Sequence, residues 1–168
     1  MCWRQWILHA YTLRPPDDFS CEPIFYPPTT RGAIADVEAA LGARFRSELV
    51  AFLMETDGVM DRMRFSTAQG TNRVVDTGYL LWSVDKIRDE NLSMRAWANE
   101  EDSGYFSLDG FLFCADSGCG DMFGYAITNG DIVSSDIYVW DHEDDSRTKV
   151  APSLRTFIDS WLSGETRF

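Results

Sequence analysis

The chain has 168 residues, 45% hydrophobic, 14% aromatic and 25% charged. That balance fits a single globular domain over 1–168 with a sizeable core, and it excludes a disordered or collagen-like chain. The formal net charge of −12 argues against nucleic acid and anionic membranes as direct partners, because both select for clustered Lys and Arg.

Trp3, Trp6, Ile7, Ala10 and Tyr11 share one helical face. They predict a helix over 3–13, stopped by Arg14-Pro15-Pro16-Asp17-Asp18. A loop is then expected as far as Pro27-Pro28-Thr29-Thr30. Thr29 or Thr30 caps a second helix, whose face is Ile34, Val37 and Leu41 and whose stop is Gly42. The third helix carries Phe45, Leu49, Phe52 and Leu53, keeps Arg46, Glu48 and Glu55 in water, and closes at Thr56-Asp57-Gly58. The second and third helices form an αα-hairpin. Residues 61–78 suggest a strand or two around a polar stretch at 66–72. Leu80-Leu81-Trp82 reads as a short strand and Val84 to Met94 as a short helix.

The remainder reads as sheet. Phe111 to Ala115 is a continuous apolar run, as in a strand covered on both faces. Asp116 to Asp121 is a glycine-bearing turn, Met122 to Ile127 the return strand, and Asn129-Gly130 a hairpin signal. Ile137 to Trp140 is a further strand, Asp141 to Ser146 a charged turn. Leu154, Phe157, Ile158, Trp161 and Leu162 line a closing helix. The expected class is α+β, with helices (the N-terminal αα-hairpin plus a C-terminal helix) packed on a mainly antiparallel sheet.

The acid is unevenly spread. Residues 98–168 hold 14 acidic and 4 basic side chains, a net −10. Such a field speeds encounter with a cationic partner. Catalytic and cofactor chemistry finds little support. Cys2, Cys21, Cys114 and Cys119 form no CxxC pair, so neither zinc nor a disulfide framework is expected, and Cys114 reads as a buried small hydrophobe. Gly118-Cys119-Gly120-Asp121 follows a strand like a phosphate loop, but a strand pattern rather than a helix comes after it, so it reads as a tight turn. Asp141-His142-Glu143-Asp144-Asp145 is the densest cluster, yet no second ligand group accompanies it, and no metal or cofactor is expected. His9 and His142 are the two histidines, and no nucleophile elbow is present. The chain therefore reads as a non-enzyme. Trp82, Trp97, Trp140, Tyr125 and Tyr138 belong mostly to the core, and any of them left exposed beside acid is a hot-spot candidate for a basic protein. With no signal peptide at the N-terminus and no apolar run of membrane-spanning length, a cytoplasmic location is expected.

Five segments in order carry a resemblance. Ile34-Ala35-Asp36-Val37-Glu38-Ala39-Ala40-Leu41-Gly42 is similar to an Ile-x-x-x-Glu-x-x-Leu-Gly helix. Leu49 to Gly58 is similar to a helix ending in Asp-Gly. Trp82 to Ile87 with Glu90-Asn91 is similar to a central segment. Gly118-x-Gly120-Asp121-x-Phe123-x-Tyr125 is similar to a Gly-x-Gly-Asp turn. Val139 to Glu143 with Val150 to Leu154 is similar to a closing strand and helix. Together they resemble bacterial members of the SMI1/KNR4 family, the SUKH superfamily, over about 3–162. Two departures stand out: Phe45-Arg46 where Leu-Pro is common, and Cys119 where Asn is common.

The resemblance implies a non-catalytic immunity protein that binds and neutralises a secreted toxin, a nuclease or deaminase, by steric and electrostatic occlusion. On that reading the expected contacts are Asp116, Asp121, Tyr125, Asp141, Glu143, Asp144 and Asp145. The alternative is a regulatory scaffold or ligand-binding module of the same fold, with a neutral groove near Trp82 or Trp97. The oligomeric state is left open.

Overall fold

The structure, a computed structural model, describes residues 2–13, 19–66, 72–101 and 104–165. The predicted stop at 14–18 and the centre of the polar stretch at 67–71 lie outside them. Helix α1 spans Trp3–Thr12, α2 Arg31–Leu41, α3 Ser47–Glu55, α4 Val84–Ala98 and α5 Leu154–Ser163. The strands are β1 Phe19–Phe25, β2 Val59–Ser66, β3 Asn72–Leu81, β4 Phe111–Asp116, β5 Met122–Thr128, β6 Asp131–Ile132, β7 Ile137–Trp140 and β8 Arg147–Ala151. The architecture is α+β, as expected.

All pairs between these strands are antiparallel, but they form two sheets, β1-β2-β3 and β4-β5-β7-β8, with β6 paired to β5. The reason for the division lies at Phe113. The buried Asn91 of α4 uses its amide as a surrogate strand: Nδ2 donates to the Phe113 carbonyl (2.8 Å) and Oδ1 accepts the Phe113 N–H (2.9 Å). That edge of β4 is therefore occupied. Beside it β4 bulges, since Phe113 faces Gly124 while Ala115 faces Phe123. The end of β3 meets the bulge through one main-chain bond, Trp82 N–H to the Cys114 carbonyl (2.8 Å).

Helix starts follow local chemistry. Thr30, not Thr29, caps α2 by accepting from Ala33 N–H, and Gly42 ends α2 in the left-handed region at φ 62°. Glu38 of α2 accepts the Phe45 N–H at 2.6 Å and braces the short turn into α3. Arg46 offers no side-chain cap to α3; acidic Glu48 in the first turn supports the helix dipole instead. Ser83 caps α4, with Asp57 accepting the Val84 N–H at 2.7 Å. Burial, together with the nearby Asp85 charge, raises the Asp57 carboxyl above its ordinary value despite that bond.

Glu55 departs from its expected place in water. Its carboxylate leaves α3 to accept the N–H groups of Trp3 (2.7 Å) and Arg4 (2.8 Å), capping α1 from a distance. Burial works against the charge, but the donors of Arg4, Cys2 and Trp3 hold the Glu55 carboxyl below its ordinary value. Arg155 of α5 also rests on α1, 4.7 Å from the Trp3 ring and 4.8 Å from the Trp6 ring. One apolar cluster joins the layers: Leu49, Phe52 and Leu53 of α3, Ile87 of α4, Leu112 and Phe113 of β4, and Leu154, Phe157 and Ile158 of α5 are buried. Leu112 to Ala115 are buried in succession, as the unbroken apolar run predicts.

A candidate partner-binding surface at one end of the second sheet

Register brings the acidic turns together. Met122 opens β5 opposite Asp116 on one side and Trp140 on the other, and Trp140 faces Arg147 on β8. The row Asp116, Met122, Trp140, Arg147 thus crosses the sheet at one end. The turns 117–121 and 141–146 leave from that end, side by side. The first turn uses glycine where the backbone demands it: Gly118 has φ 76° and Gly120 φ 115°. At Gly120 a side chain is also excluded by space, because a Cβ there would stand 2.9 Å from the His142 ring.

His142 is held to its neighbour turn through one oxygen. Asp121 Oδ1 lies 2.8 Å from His142 Nδ1 and accepts the His142 N–H at 3.2 Å. The Asp121 hydrogen bond raises the His142 pKa above its ordinary value; burial opposes this, and the charges of Asp121, Glu143 and Asp141 reinforce it. Ligand atoms of Asp121, Asp141 and His142 lie within 4.8 Å of one another, and these are the residues that could hold a metal.

The seven expected contacts do not fare alike. Asp116 Oδ2 accepts the Trp82 indole N–H at 2.6 Å and its Oδ1 the Gly118 N–H at 2.9 Å, so it ties the turn to the core. Asp145 is ion-paired with Arg147 at 2.8 Å and accepts the Trp140 indole N–H at 2.6 Å. Asp121 serves His142. Asp141 and Asp144 accept main-chain N–H groups of Glu143 (2.8 Å) and Ser146 (2.9 Å), and with Glu143 they form no ion pair among the described residues. Tyr125 is a correction. It is 0% exposed, its phenol pushed far up by burial and then by the Cys114 and Glu48 charges, and it has no surface to offer. Its place two residues from Phe123 on β5 puts it on an inward face, which is why the expected contact fails.

Sequence reasoning missed the loop that stands next to these turns. Tyr105 donates its hydroxyl to the His142 carbonyl at 2.8 Å, and the Phe106 N–H donates to Asp145 Oδ2 at 2.9 Å. The Tyr105 ring packs 4.7 Å from that of Trp97, and Trp97 and Tyr105 both meet Trp140, buried in the core. The available signal was two adjacent aromatics, Tyr105-Phe106, inside a polar loop. Among the chemistry candidates, Cys114 is buried with its thiol pushed up to about 12, in keeping with a packing role, while Cys119 is exposed.

The geometry gathers an acidic, hydrogen-bonded sheet end flanked by a partly exposed aromatic loop. The SMI1/KNR4 family (SUKH-1) model matches residues 28–160, and the chain belongs to that family. The match begins after α1 and β1. The family includes immunity proteins, and its members are generally non-catalytic. None of the curated proteins matches the chain. Among the described residues no helix is long and apolar enough to cross a membrane.

Proposed function

We propose that the protein is a cytoplasmic immunity protein that binds a cognate toxin, a nuclease or deaminase, and covers its active site. The observation that carries this reading is the gathering of two acidic turns at one sheet end of a chain in this family. A toxin that cleaves or edits nucleic acid presents a basic groove, and Glu143 and Asp144 supply exposed negative charge that, among the described residues, no Lys or Arg pairs. The inward commitments of Asp116, Asp121 and Asp145 narrow the electrostatic part to this turn and leave the rest of the occlusion to shape.

The test is growth rescue. The toxin domain encoded beside the gene is expressed in a sensitive host with and without this protein. Rescue together with a stoichiometric complex in size-exclusion chromatography is expected; continued killing by an expressed toxin, with no complex, contradicts the reading. A second reading, a ligand-binding module, draws on a cleft of about 470 Å³ lined by Tyr26, Pro27, Thr30, Asp57, Tyr79 and Ser83. A thermal-shift screen of metabolites at millimolar concentration checks it, with a saturable rise expected if this cleft is the working site.

A further inference from the structure

Phe106 is 75% exposed, more than any other large apolar side chain among the described residues. An aromatic ring in water usually rides on loose chain. This one does not. Its N–H donates to Asp145 Oδ2 (2.9 Å), and its carbonyl accepts from Arg147 Nη2 (3.3 Å). Asp145 and Arg147 pair with each other, with side chains only 12% and 25% exposed, and Asp145 is anchored in turn by Trp140. The Arg147 guanidinium stands 5.9 Å from the Phe106 ring centroid. On the other side Tyr105 is fastened to His142 and packs on Trp97, itself 36% exposed. A largely buried ion pair therefore fixes the main chain that carries an exposed ring. Little ordering entropy remains to be lost when a partner covers that ring, which is the condition for a strong binding anchor.

The surroundings define what can cover it. Arg147 is neutralised by Asp145, whereas Glu143 and Asp144, in the turn that Asp145 closes, are exposed and form no ion pair among the described residues. The local field is negative. It repels phosphate and anionic lipid, and it repels the same turn of a second copy. It favours a protein surface with cations around an apolar depression.

We propose that Phe106 is the anchor of a protein–protein interface, its ring entering an apolar socket on the toxin whose rim carries Lys or Arg facing Glu143 and Asp144. This rests on the toxin-binding reading and adds to it the chemistry of the partner's surface.

Biolayer interferometry with the purified toxin domain encoded beside the gene tests the assignment, using wild type, Phe106→Ala, Phe106→Leu and, as a control on another exposed apolar residue, Val133→Ala. The Ala variant is expected to weaken Kd by at least about 30-fold, mostly through faster dissociation. The Leu variant should fall between, Val133→Ala should match wild type, and all thermal midpoints should agree. A toxin that binds wild type and Phe106→Ala within about twofold overturns the anchor and leaves the toxin-binding reading standing. No complex with wild type overturns both. Sedimentation showing self-association that Phe106→Ala abolishes places a second copy on the ring and overturns the assignment to a toxin.

Discussion

Asn91 is the residue whose chemistry most tightly links helix to sheet. Its amide meets the Ile87 carbonyl at 2.7 Å and both main-chain groups of Phe113. Truncation would strand the N–H and C=O of Phe113, both in a buried residue. Asn91→Ala should therefore lose about 3 kcal/mol in urea unfolding, since each unsatisfied buried polar group costs about 1–3 kcal/mol. A loss near zero would mean that β4 finds other partners. His142 makes a second prediction at this scale. Its folded pKa lies above the ordinary 6.5 because of Asp121. The stabilisation from the pair is thus fully present below the unfolded pKa and fades as pH rises through the folded one. The gap in thermal midpoint between wild type and Asp121→Asn should be widest below the ordinary His value of about 6.5 and narrow steadily as the pH is raised above it. A gap that widens over that range would assign the bond to neutral His142. At residue scale the sequence is legible where one face decides a side chain: Thr30, Gly42 and Cys114 sit as local chemistry predicts. It is not legible for Glu55 or Asp145, because their partners lie on other elements and only the assembled register brings them near.

Among the elements, those with strong apolar periodicity are readable: α1, α2, α3 and α5 fall within a residue or two of expectation, as do β4, β5 and β7. Of the strands left unread, the two-residue β6 is the shortest, and β1 and β8 are both edge strands. β1 contains Pro23, which argues against a strand and is tolerated only because an edge leaves one side unpaired. β8, Arg147-Thr148-Lys149-Val150-Ala151, is mostly polar because its outer side meets water. α4 continues four residues beyond the expected Met94, since Arg95 is held by the carbonyls of Leu41 (2.9 Å) and Phe111 (2.8 Å), contacts no local pattern contains. The β4–β5 pair carries a prediction of its own. A Cβ on Gly124 would fall 2.0 Å from the Leu112 carbonyl oxygen, whereas one on Gly118 meets nothing within 4 Å. Gly124→Ala should cost about 3 kcal/mol by forcing the strands apart. Gly118→Ala should cost only about 1 kcal/mol, from its positive φ. Equal losses for the two would contradict the close approach of β4 and β5.

For the molecule as a whole, the charge imbalance was plain in the sequence, but its usable part was not. Of the acid in 98–168, Asp136 is paired with Lys149 at 2.7 Å and Asp145 with Arg147, and Asp116 and Asp121 are turned to internal donors. What faces outward at the sheet end is the pair Glu143 and Asp144, with Asp141 half-buried beside them, next to an aromatic loop that composition alone could not place. The account therefore predicts steering by a small, defined set of carboxylates rather than by the net charge of −12. The most direct measurement is the association rate with the toxin domain proposed as the partner, for wild type and for Glu143→Lys/Asp144→Lys, between about 50 and about 500 mM salt. Wild-type association should slow roughly tenfold across that range, and the double variant should start slower and change little. Identical, salt-independent association rates for both proteins would contradict the claim that this acidic turn guides the partner to its seat.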